Sequence, residues 1–225
     1  MNYTELKAAI IAYTENQEAS FEAEIPVFVE QAEQRIYNSV QFPSIRKNVT
    51  GVTSTNNKYL SCPSDFLAVY SMAIITDVTG GNLNTGAYEY LLNKDVNFIR
   101  QAYPTPNDSG VPRYYALFGP QSANVDELSF ILGPTPDAIY NVELHYYYYP
   151  PSIVTAGTSW LGDNFDTVLL YGSLVEAYTY MKGETDMMGL YNQKYQEALG
   201  LAKRLGDGME RQDAYRTGQY RQKVT

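Results

Sequence analysis

HYYYYPP, residues 145–151, places four consecutive tyrosines between the chain's single histidine and a proline pair. As a ligand platform, such rings would stack on sugars or bases, and a stacking strip collects its rings on one face. As a strand, alternation sends Tyr146 and Tyr148 to one side and Tyr147 and Tyr149 to the other. Proline cannot continue a central strand, so Pro150-Pro151 ends it. Rings on both sides predict a strand covered on both sides, by its own domain and by a neighbouring subunit. Tyrosine suits such packing because the ring buries while the hydroxyl keeps a polar partner. Tyr146, Tyr147, Tyr148 and Tyr149 are therefore the candidate inter-subunit packing residues, and the stretch is the last strand of a β-rich region.

Working back from it, residues 48–150 are dominated by Thr, Val, Tyr, Asn, Gly and Pro, the composition of strands and turns. NVTGVTST and KYLSCP predict a hairpin across Asn56-Asn57. FLAVYSMAIIT (66–76) reads as a long apolar strand and TGGNLNTG (79–86) as a turn or loop. Residues 88–103 are mixed, with a short helix, and PTPNDSGVP (104–112) is a loop. PRYYALFG, DELSFILG and IYNVELHYYYYPP are strands bounded by Pro or Gly, with Gly-Pro punctuating two of them.

Helical spacing flanks this region on both sides. Asn2 and Glu5 stand at the N-cap and N3 positions of a capping box, followed by Leu6, Ile10 and Tyr13. TENQEAS interrupts the pattern. A second helix is predicted over 26–40, with Pro26 at its first position and Pro43 beyond its end. After the strands, Asp163 and Asp166 read as N-cap and N3 of a helix carrying Leu169, Leu170, Leu174 and Tyr178. KGETD breaks it, and a last helix turns Tyr191, Tyr195, Ala198 and Leu199 inward until GDG (206–208) stops it. No pair of these helices buries its apolar stripe alone, so they are expected to join as a four-helix bundle. The predicted fold is α+β: a helical bundle domain from 1–47 and 160–206, a β-rich insert domain over 48–159, and an extended C-terminal arm over 207–225.

Composition narrows the function. The chain has 225 residues, with 16 basic and 25 acidic side chains, a net charge of −9. Residues 201–225 hold six basic and three acidic residues, hence +3, which leaves −12 on residues 1–200. An acidic body argues against wrapping nucleic acid, because phosphate contacts need Lys and Arg. A cationic end on an acidic body predicts a docking arm, with Arg211, Tyr215, Arg216, Tyr220, Arg221 and Lys223 as its candidate contacts. No segment is apolar enough to span a membrane, and the N-terminus lacks the pattern of a secretory signal, which predicts synthesis in a cytosol.

The chemical constellations are thin. Cys62 is the single cysteine, so neither an internal disulfide nor a thiolate metal cluster is expected. A two-histidine metal site is excluded by the histidine count, and the di-metal bundle pattern needs Glu-x-x-His twice. His145 shares its strand face with Glu143, Tyr147 and Tyr149, but no nucleophile motif accompanies it, and PPSIV around Ser152 is not GxSxG. TGGNLNTG lacks the lysine of a phosphate-binding loop. No catalytic, cofactor-binding or metal-binding residue is assigned.

The order YLSCPSDFLAVYSMAI, GVPRYYALFG, LSFILGPTPD, VELHYYYYPPSI, WLGDNFDTVLLYGSLVEAYTYMKGE and MGLYNQKYQEAL resembles the bacteriophage head-to-tail adaptor (connector, tail-tubular) proteins over most of residues 1–205. The resemblance implies a structural, non-enzymatic virion protein made in the host cytoplasm and assembled at the head-tail junction. It implies a homo-oligomeric, dodecameric ring between the portal protein and the tail nozzle or tube protein. DNA transits the channel of such a ring during ejection without sequence-specific binding, and the C-terminal arm docks into the portal. A carbohydrate-binding or cell-wall-glycan-cleaving tail module, built on Tyr147, Tyr149 and a carboxylate pair, is the alternative.

Overall fold

A computed structural model describes residues 1–40, 42–105, 107–119 and 128–210. The chain divides into two compact units: Arg46–Tyr148 forms one, and Met1–Ile45 with the chain from Tyr149 onward forms the other. The long helices fall in one and the strands, with one short helix, in the other, an α+β arrangement.

The first unit is helical. α1 (Tyr3–Thr14) starts with the predicted capping box: the Glu5 amide donates to Asn2 Oδ1 at 2.9 Å and the Asn2 amide to Glu5 Oε2 at 3.0 Å. α2 (Ala19–Ser39) begins well before the predicted residue 26, so Pro26 lies inside the helix and not at its start. An interior proline costs about 3 kcal/mol. The offset comes from rings on either side of it: Phe21 and Phe28 are buried, 5.8 Å apart, and both pack on the Tyr180 ring.

The second unit is a sandwich of two four-stranded sheets. β1 (Arg46–Val52), β3 (Ala68–Thr76), β4 (Ala87–Tyr90) and β8 (Asn141–Tyr147) make the first, in the order β1-β8-β3-β4, antiparallel throughout. β2 (Tyr59–Ser61), β5 (Leu92–Asn93), β6 (Tyr114–Leu117) and β7 (Ser129–Gly133) make the second, in the order β2-β7-β6-β5. The predicted hairpin across Asn56-Asn57 does not form. The turn is there, with Asn56 at φ 59°, but β1 pairs with β8 and β2 with β7, so the chain changes sheet at that turn. Local turn chemistry marks where a chain bends; the partners of each strand are decided by which faces bury. Met72, Ile74, Val142, Leu144 and Tyr146 of the first sheet meet Tyr115, Phe130 and Leu132 of the second in one core. A short helix, α3 (Val96–Ala102), covers the outer face of the second sheet, where Ile99 packs on Ala116 and Ile131.

The chain rejoins the helical unit at Tyr149, ahead of the residue 160 expected from sequence. α4 (Ile153–Ala156) and α5 (Trp160–Asn164) precede α6 (Asp166–Tyr180) and α7 (Thr185–Glu210). Asp163 is not the N-cap of a long helix. Ser159 caps α5, accepting the Gly162 amide at 3.0 Å, and Phe165 separates α5 from α6. That break is held by packing: Phe165, Trp160 and Phe42 form an aromatic trio with centroids 5.1–5.6 Å apart. α7 also runs through Gly206 and Gly208 to Glu210, so residues 207–210 are helix and not arm. Glycine weakens a helix by about 1 kcal/mol but need not end one.

α6 packs against α1, α2 and α7. Gly172 permits the closest approach: a Cβ there would stand 3.2 Å from both Ala32 of α2 and the Tyr195 ring of α7. Gly172→Leu is expected to destabilise the helical unit by about 1–3 kcal/mol through overpacking. A lowered urea midpoint checks this, and an unchanged midpoint would show that α2 and α7 do not close on α6 at that position.

Candidate functional site

Four tyrosines in a row do not share one fate. Tyr146 is 1% exposed and belongs to the sandwich core of its own chain. Its hydroxyl donates to Asp65 Oδ1 at 2.7 Å, and Lys47 Nζ donates to the other Asp65 oxygen at 2.7 Å. Burial works to raise the Asp65 pKa, but the lysine and the tyrosine hydroxyl outweigh it and hold the carboxyl below its usual range. Tyr148 packs against the same core with Lys47 5.3 Å above its ring. Tyr149 belongs to the helical unit, where its hydroxyl donates to Asn38 Oδ1 of α2 at 2.5 Å. The strand itself ends at Tyr147. Tyr146 therefore has no surface left for a neighbouring subunit, and Tyr147 and Tyr149 do not form one strip.

Tyr147 points to the outer face of the first sheet, and it has company that alternation did not reveal. The β3–β8 pairing shifts register between Val69 and Ser71. This bulge adds Tyr70 to the outer face while Val69 stays with the core. Tyr70 stacks edge-on with His145 (4.9 Å) and Tyr147 (5.9 Å), and the Arg46 guanidinium lies 4.6 Å from the Tyr70 centroid and 5.9 Å from that of Tyr147. On β4, Tyr88 opposite Ile75 and Tyr90 opposite Ala73 continue the same face, both exposed. The result is a ring-rich sheet face with one cation seated among the rings. Unlike the second sheet, it carries no helix of its own unit among the described residues.

The His145 pKa is lowered, chiefly by burial and also by Arg46, with Glu143 opposing, so the imidazole is neutral at pH 7. Burial pushes the Cys62 thiol up to about 12, which removes its nucleophilic form at neutral pH. Among the described residues no cluster of three His, Cys, Asp or Glu side chains is placed to hold a metal ion. Several acids of the helical unit are engaged in ion pairs, Glu22 with Lys7 and Glu176 with Arg35. No helix among the described residues is long and apolar enough to cross a membrane. The candidate arm contacts Arg211, Tyr215, Arg216, Tyr220, Arg221 and Lys223 lie outside the described residues.

A helical unit with an inserted sandwich is the architecture in which these side chains are set. The chain belongs to the SU10 adaptor protein family, whose model matches residues 1–222. That span takes in Arg211, Tyr215, Arg216, Tyr220 and Arg221 as well as both folded units. Membership makes the protein a structural component of a bacteriophage virion. Among curated proteins, none matches the chain.

His145 supplies a pH test of the sheet face. Its folded pKa lies below the ordinary 6.5, so on acidification the unfolded chain takes up the proton first. Stability is expected to fall as pH drops below 6.5 toward the folded pKa. His145→Gln should flatten that part of the profile of melting temperature against pH, and an identical slope in the variant would remove His145 from the account.

Proposed function

We propose that the protein is the repeating subunit of a head-to-tail adaptor ring, joining the portal protein to the tail nozzle or tube protein and lining the channel through which DNA leaves. Membership of the adaptor family across residues 1–222 carries this reading. Three features support it. The body is acidic, −12 over residues 1–200, and a wall of that sign does not hold passing phosphates. The sheet face around Arg46, Tyr70, His145 and Tyr147 gathers aromatic rings about a cation, a composition that suits contacts between copies. The last residues are polar, aromatic and cationic, suited to a segment that orders on a partner. In this reading Tyr147 and Tyr70 pack against the next subunit of a dodecamer, and the arm from residue 211 docks into the portal.

Removing residues 211–225 should leave the thermal transition of the body in place and abolish co-sedimentation with portal rings. A truncated chain that still decorates portals at the wild-type ratio would refute the docking arm. Tyr70→Ala with Tyr147→Ala should fold, bind portal as isolated copies and fail to close a ring in negative-stain images. Complete rings from that double variant would remove the sheet face from the interface.

A further inference from the structure

Among the described residues, the helical unit carries two surfaces that its own packing leaves open, and they differ in sign. α7 faces α6 with Tyr191, Tyr195, Leu199 and Ala202, all buried. Helical spacing places Leu190, Lys194, Leu201, Arg204 and Leu205 together on a different face, roughly 100° away. There Leu201 is 63% exposed and Leu205 48%. An exposed leucine ridge bearing a lysine and an arginine is more apolar surface than the outside of a bundle helix needs.

The second surface is a cleft of about 220 Å³ beside α2, with Glu30, Gln34, Tyr37, Tyr149 and Pro150 around it and Glu33 in its wall. Glu33 is 3% exposed. It accepts the Ile153 amide at 3.0 Å and the Ser152 hydroxyl, and burial raises its pKa. Glu30 is exposed, and its charge adds to the upward shift at Glu33. The cleft is thus acidic, with tyrosine rings in its walls, a setting that suits an arginine flanked by aliphatic side chains.

A chain cannot close this contact on itself. Arg35 pairs with Glu176 and lies near Tyr195, which fixes the side of α2 that faces α7. Tyr37 is two positions on, roughly 200° around the helix, so the cleft opens away from α7. Ridge and cleft are different surfaces, and a contact between unlike surfaces of identical chains is head-to-tail, the kind that generates rings.

We propose that the α2 cleft of each copy receives the Leu201–Arg204–Leu205 ridge of the next copy, with Arg204 directed at the exposed Glu30. The inference rests on the ring reading above and names a second lateral contact, independent of the sheet face. The test uses full-length chains on portal rings. Gln34→Cys and Leu201→Cys variants are made separately in a Cys62→Ser background and mixed, which leaves Glu30 and Arg204 in place. A disulfide-linked dimer is expected from the mixture and not from either variant alone. Arg204→Glu should weaken ring closure roughly tenfold, the equivalent of about 1.4 kcal/mol, and Arg204→Glu combined with Glu30→Arg should restore it. Rings that form without the mixed cross-link, or with closure indifferent to both charge changes, overturn this contact and leave the ring reading intact. A cross-link formed equally well within a single chain carrying both cysteines at high dilution overturns the role of the second copy. Absence of any multi-copy assembly on portals overturns the ring reading as well.

Discussion

A helix with no polar face must be covered on every side, and α6 is nearly such a helix. Val168, Leu169, Leu170, Gly172, Ser173, Leu174 and Ala177 are all buried in DTVLLYGSLVEAYTY. Two of its covers, α1 and α2, come from the start of the chain, and the third, α7, follows it. Neither end of the sequence can bury its stripe without the other. Everything between them is therefore an insertion whose ends must be close, and the sandwich obeys this: its first and last strands are partners, with Arg46 opposite Tyr147. An inserted domain with adjacent termini costs its host little.

The return into the helical unit is secured by a group that is expensive to bury. Glu33 sits almost wholly inside, and an unpaired carboxylate there would be strongly unfavourable. Here it takes the first free amide of α4 and the Ser152 hydroxyl, so its desolvation is offset by bonds that the α4 terminus also needs. One side chain of α2 thereby fixes where the chain turns after Pro150-Pro151. This also explains why the change of unit falls at Tyr149, where Asn38 of the same helix holds the tyrosine hydroxyl.

Features with local causes were legible in the sequence. The capping box at Asn2 and Glu5, the break at KGETD, and the strands over 114–117, 129–133 and 141–147 depend on neighbours within a few residues. Features with distant causes were not. Pro26 survives inside α2 because Tyr180 packs on Phe21 and Phe28. Ser159 displaces Asp163 as a cap because Phe42 gathers Trp160 and Phe165. The failed hairpin is the same lesson in a sheet, since β1 and β2 each have a better partner some ninety or seventy residues away. Tyr70 entered the sheet face through a bulge, and alternation counted from one end of a strand cannot show an extra residue.

Tyrosine is what makes this family of surfaces hard to read from composition. The chain has 22 of them, and the same residue serves three purposes. Tyr146 is core, and burying it is possible because Asp65 accepts its hydroxyl. Tyr149 is a strap, bonded from an irregular segment to Asn38 of α2. Tyr70 and Tyr147 are half-buried on the outer sheet face, gathered around Arg46. The distinction lies in the partner of the hydroxyl and the face of the ring, not in the residue type. Under the ring proposal, such a side chain serves both the free chain and the assembled one. The ring gives area at an interface, while the hydroxyl keeps the same surface wettable before the interface forms. Leucine at those positions would bury as much area in a contact and would leave an apolar patch in water without one.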